Sequence, residues 1–99
     1  MEEVEAQTVI HRNPRVVFRS LEDGTGVLLH LDSTAYHGVN RVGALIWSLL
    51  EASPSYRTLV ESVRSRLTDP PTSLDQDVAE FISDLRSRGL VRFGDQNNP

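Results

Sequence analysis

The hydrophobic pattern of this chain changes period at Asn40, and that change limits its fold more than any other feature. Before Asn40 the apolar residues come in short runs, "RVVFRS", "VLLHL" and "AYHGV", rich in β-branched and aromatic types. The connections "EDGTG" and "DST" have the length and chemistry of turns. After Asn40, Val42, Leu45, Ile46, Leu49 and Leu50 recur at the i, i+3, i+4, i+7, i+8 spacing of a helix. Strands and helices are therefore segregated. The expected class is α+β: a three-stranded antiparallel β-sheet over residues 15–39, followed by three α-helices packed on one face.

Local signals set the helix ends. Asn40 is a good N-cap for the first helix, and Ser53-Pro54 offers a cap and a first-turn proline for the second. Tyr56, Leu59, Val60, Val63 and Leu67 form the second stripe, and "TDPPTS" must be a loop because neither proline fits a helix interior. Ser73 with Gln76 reads as a capping box for a third helix whose stripe is Leu74, Val78, Phe81, Ile82 and Leu85. Gly89 is placed as the left-handed residue that ends it, with Leu90 packing back on Leu85. Arg86 and Arg88 sit in the last turn, where the helix dipole favours cations. "LVRF" suits a final short strand. Residues 1–14 are expected to form a flexible arm or a short lead-in strand, 15–93 the folded domain, and 94–99 a disordered tail. Gly38 inside the third run signals a bulge or a close backbone approach.

Composition removes several function classes. Ninety-nine residues make one domain with a modest core, too small for a roomy enclosed catalytic cavity. A net charge of −4 disfavours non-specific binding to nucleic acid or anionic membrane. There is no cysteine, hence no disulfide framework or thiolate metal site, which fits a cytoplasmic protein. The start "MEEVEAQTV" lacks the basic flank of a signal peptide, and no apolar run nears the roughly 20 residues that span a bilayer. His11, His30 and His37 lie 19 and 7 residues apart, without metal-site spacing, though His30 and His37 are cross-strand candidates. Asp75, Asp77, Glu80 and Asp84 crowd the third helix, where a solvated face or a surface for cationic groups explains them better than acid–base catalysis. No serine sits in a nucleophile-elbow pattern. We expect no catalytic residue, no metal, no cofactor and no enzyme activity.

Three helices and a small sheet are also the parts of a winged helix–turn–helix, so the fold is winged-helix-like and a DNA-binding regulator is the alternative function. The third helix, "SLDQDVAEFISDLRSRG", argues against it, with four acids before its first arginine. What remains is the third strand. "AYHGV" carries no lysine, no proline and no charge at neutral pH, although a sheet edge normally needs such protection. Either the edge is short and screened by a helix or the arm, or a peptide adds to it as a further strand. The residues alone leave both open. They also leave open whether Tyr36 and Gly38, or Ala35, His37 and Val39, turn their N–H groups outward.

From Gly26 to Leu50 the order "GVLLHLDSTAYHGVNRVGALIWSLL", followed by "DVAEFISDLRSRGLV" from Asp77 to Val91, resembles the PqqD-like proteins. The features that carry the resemblance are Tyr36 before the cap, Val39-Asn40 at it, and Gly43, Ile46, Trp47, Leu49 and Leu50 after it. With them go Asp77, Val78, Phe81, Ile82, Leu85, Arg88, Gly89, Leu90 and Val91 near the end. The resemblance spans residues 15–91 and implies a leader-peptide recognition element of a ribosomal peptide pathway. It implies that a precursor's leader pairs with the third strand and fills the groove beside the third helix. The implied site is Ala35, Tyr36, His37, Gly38 and Val39, with Asp77, Val78, Phe81, Ile82 and Leu85. A free-standing domain resembles the lasso-peptide branch, whose partners are a cysteine-type leader peptidase and a later-acting cyclase. The rival branch serves PQQ synthesis, as a peptide chaperone for a radical SAM enzyme. Neither branch implies nucleic acid or membrane as a partner.

Overall fold

The computed structural model describes residues 4–94. In chain order it contains β1 (Val9–Arg12), β2 (Val16–Ser20), β3 (Gly26–His30), β4 (Tyr36–Val39), α1 (Arg41–Leu49), a 3-10 turn (Leu50–Ala52), α2 (Tyr56–Arg66), α3 (Leu74–Ser87) and β5 (Val91–Gly94). The antiparallel meander is present as β2-β3-β4, and three helices follow it. The class is α+β.

In the meander, Val17 pairs with Leu29 and Leu29 with Tyr36, while Phe18 pairs with Leu28 and Leu28 with His37. Because side chains alternate across a sheet, Leu28, Val39 and part of Phe18 face the helices, whereas Val17 and Tyr36 face away. The pairing at Gly38 is regular: Val27 opposes it and Gly26 opposes Val39, so no bulge occurs. Nor does the backbone of another element approach it, since a Cβ built there meets nothing within 4 Å. His30 and His37 are not paired: His37 opposes Leu28.

A second sheet, β1-β5, joins the two ends of the chain, with Ile10 opposite Phe93 and Arg12 opposite Val91. Of the two expectations for residues 1–14, the lead-in strand describes Val9–Arg12. Ile10 is fully buried in the core, and its N–H donates to Pro54 O at 2.9 Å. Residues 95–99, most of the expected tail, lie outside the described residues, as do 1–3.

Asn40 caps α1 as expected, its Oδ1 accepting the Gly43 N–H at 2.8 Å. The buried face of α1 differs from the expected stripe. Gly43, Ile46 and Trp47 are buried, while Val42 is exposed and Leu45 and Leu49 only partly covered. A segment apolar nearly all round lets tertiary contacts choose the face. Here the choice goes to Trp47, whose ring lies 4.9 Å from the Arg12 guanidinium and whose carbonyl accepts from Arg12 Nε at 3.1 Å.

The cap of α2 is Ser55, not Ser53; Ser55 Oγ accepts from the Thr58 N–H at 3.2 Å. Ser53 instead closes the 3-10 turn in a left-handed conformation, φ 50°. The capping box at α3 is not formed, because Ser73 Oγ donates to Asp77 Oδ2 at 2.9 Å and Gln76 turns to Glu80. The end of α3 matches expectation. Gly89 has φ 77°, its N–H donates to Arg86 O at 3.0 Å, and the Leu90 N–H reaches Leu85 O at 2.9 Å. These two bonds make a Schellman motif. It turns the chain sharply into β5, and Leu85 and Leu90 both enter the core.

Candidate functional site: the open edge of β4 and the groove along α3

Among the described residues β4 has β3 on one side and no strand on the other. The direction of its free groups follows from the ladder. His30 N–H donates to Ala35 O at 3.0 Å, which makes that a bonded pair. Bonded and non-bonded pairs alternate in an antiparallel ladder, so His37 and Val39 turn their N–H and C=O groups toward β3. Tyr36 and Gly38 turn theirs outward. The open edge thus presents a donor and an acceptor at each of two alternate residues, the spacing an added strand uses.

The side chains sort differently. Tyr36 is 72% exposed on the outer sheet face, and Gly38 beside it leaves that face open. His37 and Val39 point toward the helical layer, where β4 and α3 border a groove of about 280 Å³. Its walls are Tyr36 to Val39 on one side and Phe81, Asp84, Leu85 and Arg88 on the other. The groove continues past the end of β4 into a hollow of about 360 Å³ between the start of α1, the 67–71 loop and α3. Phe81 lines both compartments. Gly43 sets its position: a Cβ on Gly43 would stand 3.0 Å from Phe81 Cζ and 3.0 Å from Val39 Cβ, so only glycine lets α1 seat here without displacing them.

The two compartments differ in chemistry. The hollow is lined by Val42, Ile46, Leu67, Pro71, Leu74 and Val78, with Asn40 and Asp77 at its polar margin. At the other end Arg88 Nε donates to Asp84 Oδ2 at 3.0 Å, and Arg88 Nη1 donates to His37 Nδ1 at 3.2 Å. An arginine never lacks its protons, so His37 Nδ1 is the acceptor in this contact. That guanidinium bridges the helix and the strand across the mouth of the groove.

Of the residues expected at the site, Tyr36, His37, Gly38 and Val39 line the groove with Phe81 and Leu85, and Asp77, Val78 and Phe81 line the hollow. Ala35 precedes β4 and supplies the bonded carbonyl to His30. Ile82 is fully buried and lines neither compartment. Missed were Arg88 and Asp84 as groove residues, and the contribution of Val42, Gly43, Leu67 and Pro71. Gly43 and Arg88 were marked only by the family resemblance, and Asp84 by the acidic run of the third helix; Val42, Leu67 and Pro71 carried no signal that pointed to a site. Among the described residues no three histidines or carboxylates stand close enough to hold a metal ion.

Gly38→Ala is a direct check of this geometry. Open space at the Cβ predicts no loss of stability, and a gain of about 0.4–1 kcal/mol from the less flexible unfolded chain. Thermal unfolding measures it; a fall of several degrees would mean that position 38 is not open.

Residues 25–91 match the family described as coenzyme PQQ synthesis protein D (PqqD). No curated protein matches the chain. Two solved structures share the fold. One, TbiB1 in complex with the TbiA(beta) leader peptide, is 27% identical with a TM-score of 0.73, over 83% of this chain and 94% of that one. The other, a lasso peptide synthetase B1 complexed with its leader peptide, is 23% identical with a TM-score of 0.69, over 84% and 96%. The second shows the fold alone. With its family match running from the first turn of the meander to the start of β5, the chain belongs to the PqqD family.

Proposed function

We propose that this protein binds the leader segment of a ribosomally made precursor, of the lasso-peptide kind, without performing chemistry on it. The observation that carries this is the open edge of β4 running beside the groove to α3. An extended peptide adding there satisfies the outward groups of Tyr36 and Gly38, while its alternate side chains enter the groove. The likeness to TbiB1, a leader-peptide complex that this chain matches over most of both lengths, supports the same ligand class. The bound leader would then be presented to a cysteine-type leader peptidase, with a cyclase acting afterwards. A winged-helix role in DNA binding gains nothing from the surface of α3, whose Asp75, Asp77, Glu80 and Asp84 are exposed.

The test uses a candidate leader peptide of a lasso-peptide precursor, fluorescently labelled and titrated with purified protein. Saturable binding is expected, with little change between low and physiological salt. The protein alone should leave the precursor uncut, and should accelerate its cleavage once the leader peptidase is added. Absence of binding overturns the proposal, as does retention of duplex DNA that falls steeply with salt.

A further inference from the structure

We infer that Arg88 makes the groove selective for a carboxylate on the guest peptide, at the guest residue lying opposite His37. This rests on the peptide-binding role proposed above and specifies what one position of the peptide must carry.

The guanidinium stands where a guest side chain must pass. Arg88 comes from the C-terminal end of α3, yet one of its nitrogens reaches His37 on β4, the strand to which the guest adds. Both its partners line the groove. Asp84, one turn earlier on α3, holds Nε and fixes the orientation of the planar group. That pair is half exposed, 49% and 53% at the two side chains, so its task is positioning more than stabilisation. The contact to His37 is a charged donor on a neutral ring nitrogen. A carboxylate is the better acceptor, and guanidinium takes it through two parallel N–H groups. An incoming Asp or Glu thus replaces a weak acceptor with a strong one; it gives up the imidazole contact and shares the guanidinium with Asp84, a like charge that half exposure to water screens.

Other side chains fare worse at this point. An apolar one removes water from Arg88 and Asp84 and returns no hydrogen bond. A lysine or arginine would meet Asp84, but brings a second cation beside Arg88, the group of the pair that contacts β4. The apolar hollow past Phe81 has no basic side chain in its lining, so the preference for an acid is confined to one end of the groove. The guest's acidic residue would therefore fix register as well as affinity.

The experiment is a selection from a phage-displayed library of random ten-residue peptides, run in parallel on the wild-type protein, Arg88→Gln and Arg88→Glu. Both variants are first checked for a melting curve close to that of the wild type, which the half exposure of Arg88 predicts. On the wild type, Asp or Glu should be enriched at one position of the aligned peptides. Replacing that residue by its amide should weaken binding about 3- to 10-fold, the range for a partly exposed charged pair. Arg88→Gln should abolish the enrichment, and Arg88→Glu should convert it to Lys or Arg at the same position. Peptides selected without an acidic position, with a basic one on the wild type, or with the same acid after Arg88→Glu would overturn this inference and leave peptide binding standing. Selection of no peptide would overturn both.

Discussion

Trp47→Ala will lower the thermal midpoint by about 12–40 °C, from about 3–5 kcal/mol lost on truncating a buried aromatic and about 4–8 °C per kcal/mol for a domain this size. Trp47 is 2% exposed and among the largest buried side chains. It also ties the two halves of the fold together, since Arg12 of β1 stacks on its ring and bonds its carbonyl. Alanine leaves the backbone carbonyl in place but removes the surface on which Arg12 lies, so β1 loosens along with α1. Against a total stability of about 5–15 kcal/mol, a loss of that size takes from about a fifth to all of it. Circular dichroism melts measure it for the variant, and the fluorescence of the chain's single tryptophan follows the wild type. Trp47→Phe should retain part of the stability. A shift of only a few degrees for Trp47→Ala would show that the α1 face has been assigned wrongly.

The second large effect separates the two edges of β4. Proline at Gly38 removes an N–H that points outward, so the β3 ladder is kept and the guest carbonyl loses its donor. An unpaired carbonyl in the bound state costs about 1–3 kcal/mol, or about 5- to 150-fold in affinity. Proline at Val39 removes an N–H that points to β3 and a buried side chain with it, so folding suffers first. Phe81→Ala belongs with the former kind: the ring is half buried and lines both groove compartments, so affinity should fall more than the melting temperature. Peptide affinity and thermal midpoint, measured together for these three variants, decide the matter. If Gly38→Pro binds as tightly as the wild type, the guest does not use this edge.

Elements whose causes lie within a few residues are legible in the string of amino acids. The period change at Asn40, the cap it provides, and the Gly89 turn that ends α3 are short-range effects, since caps and turns satisfy backbone groups at most five positions away. The unprotected third strand was legible for the same reason: charge and proline are visible in the string. So was the α3 stripe, of which Phe81 and Leu85 line the groove and Val78 the hollow beyond it.

The remaining features depend on contacts that packing brings together from distant parts of the chain. Val42 to Leu50 is apolar enough that two faces satisfy a helical period, and packing against Arg12 and the core selected Gly43, Ile46 and Trp47. Two cap residues are offered around Pro54, and a strand arriving from residues 9–12 took the Pro54 carbonyl and left Ser55 as the cap. Pairing of β1 with β5 joins residues at opposite ends of the chain, which no local pattern encodes. The outward direction of the Tyr36 and Gly38 amides depends on ladder register, and a one-residue slip would reverse it. Arg88 meets His37 across 51 positions of sequence. Such contacts form because burying the core fixes where each element lies, and a side chain's partner is then whatever that placement brings within reach.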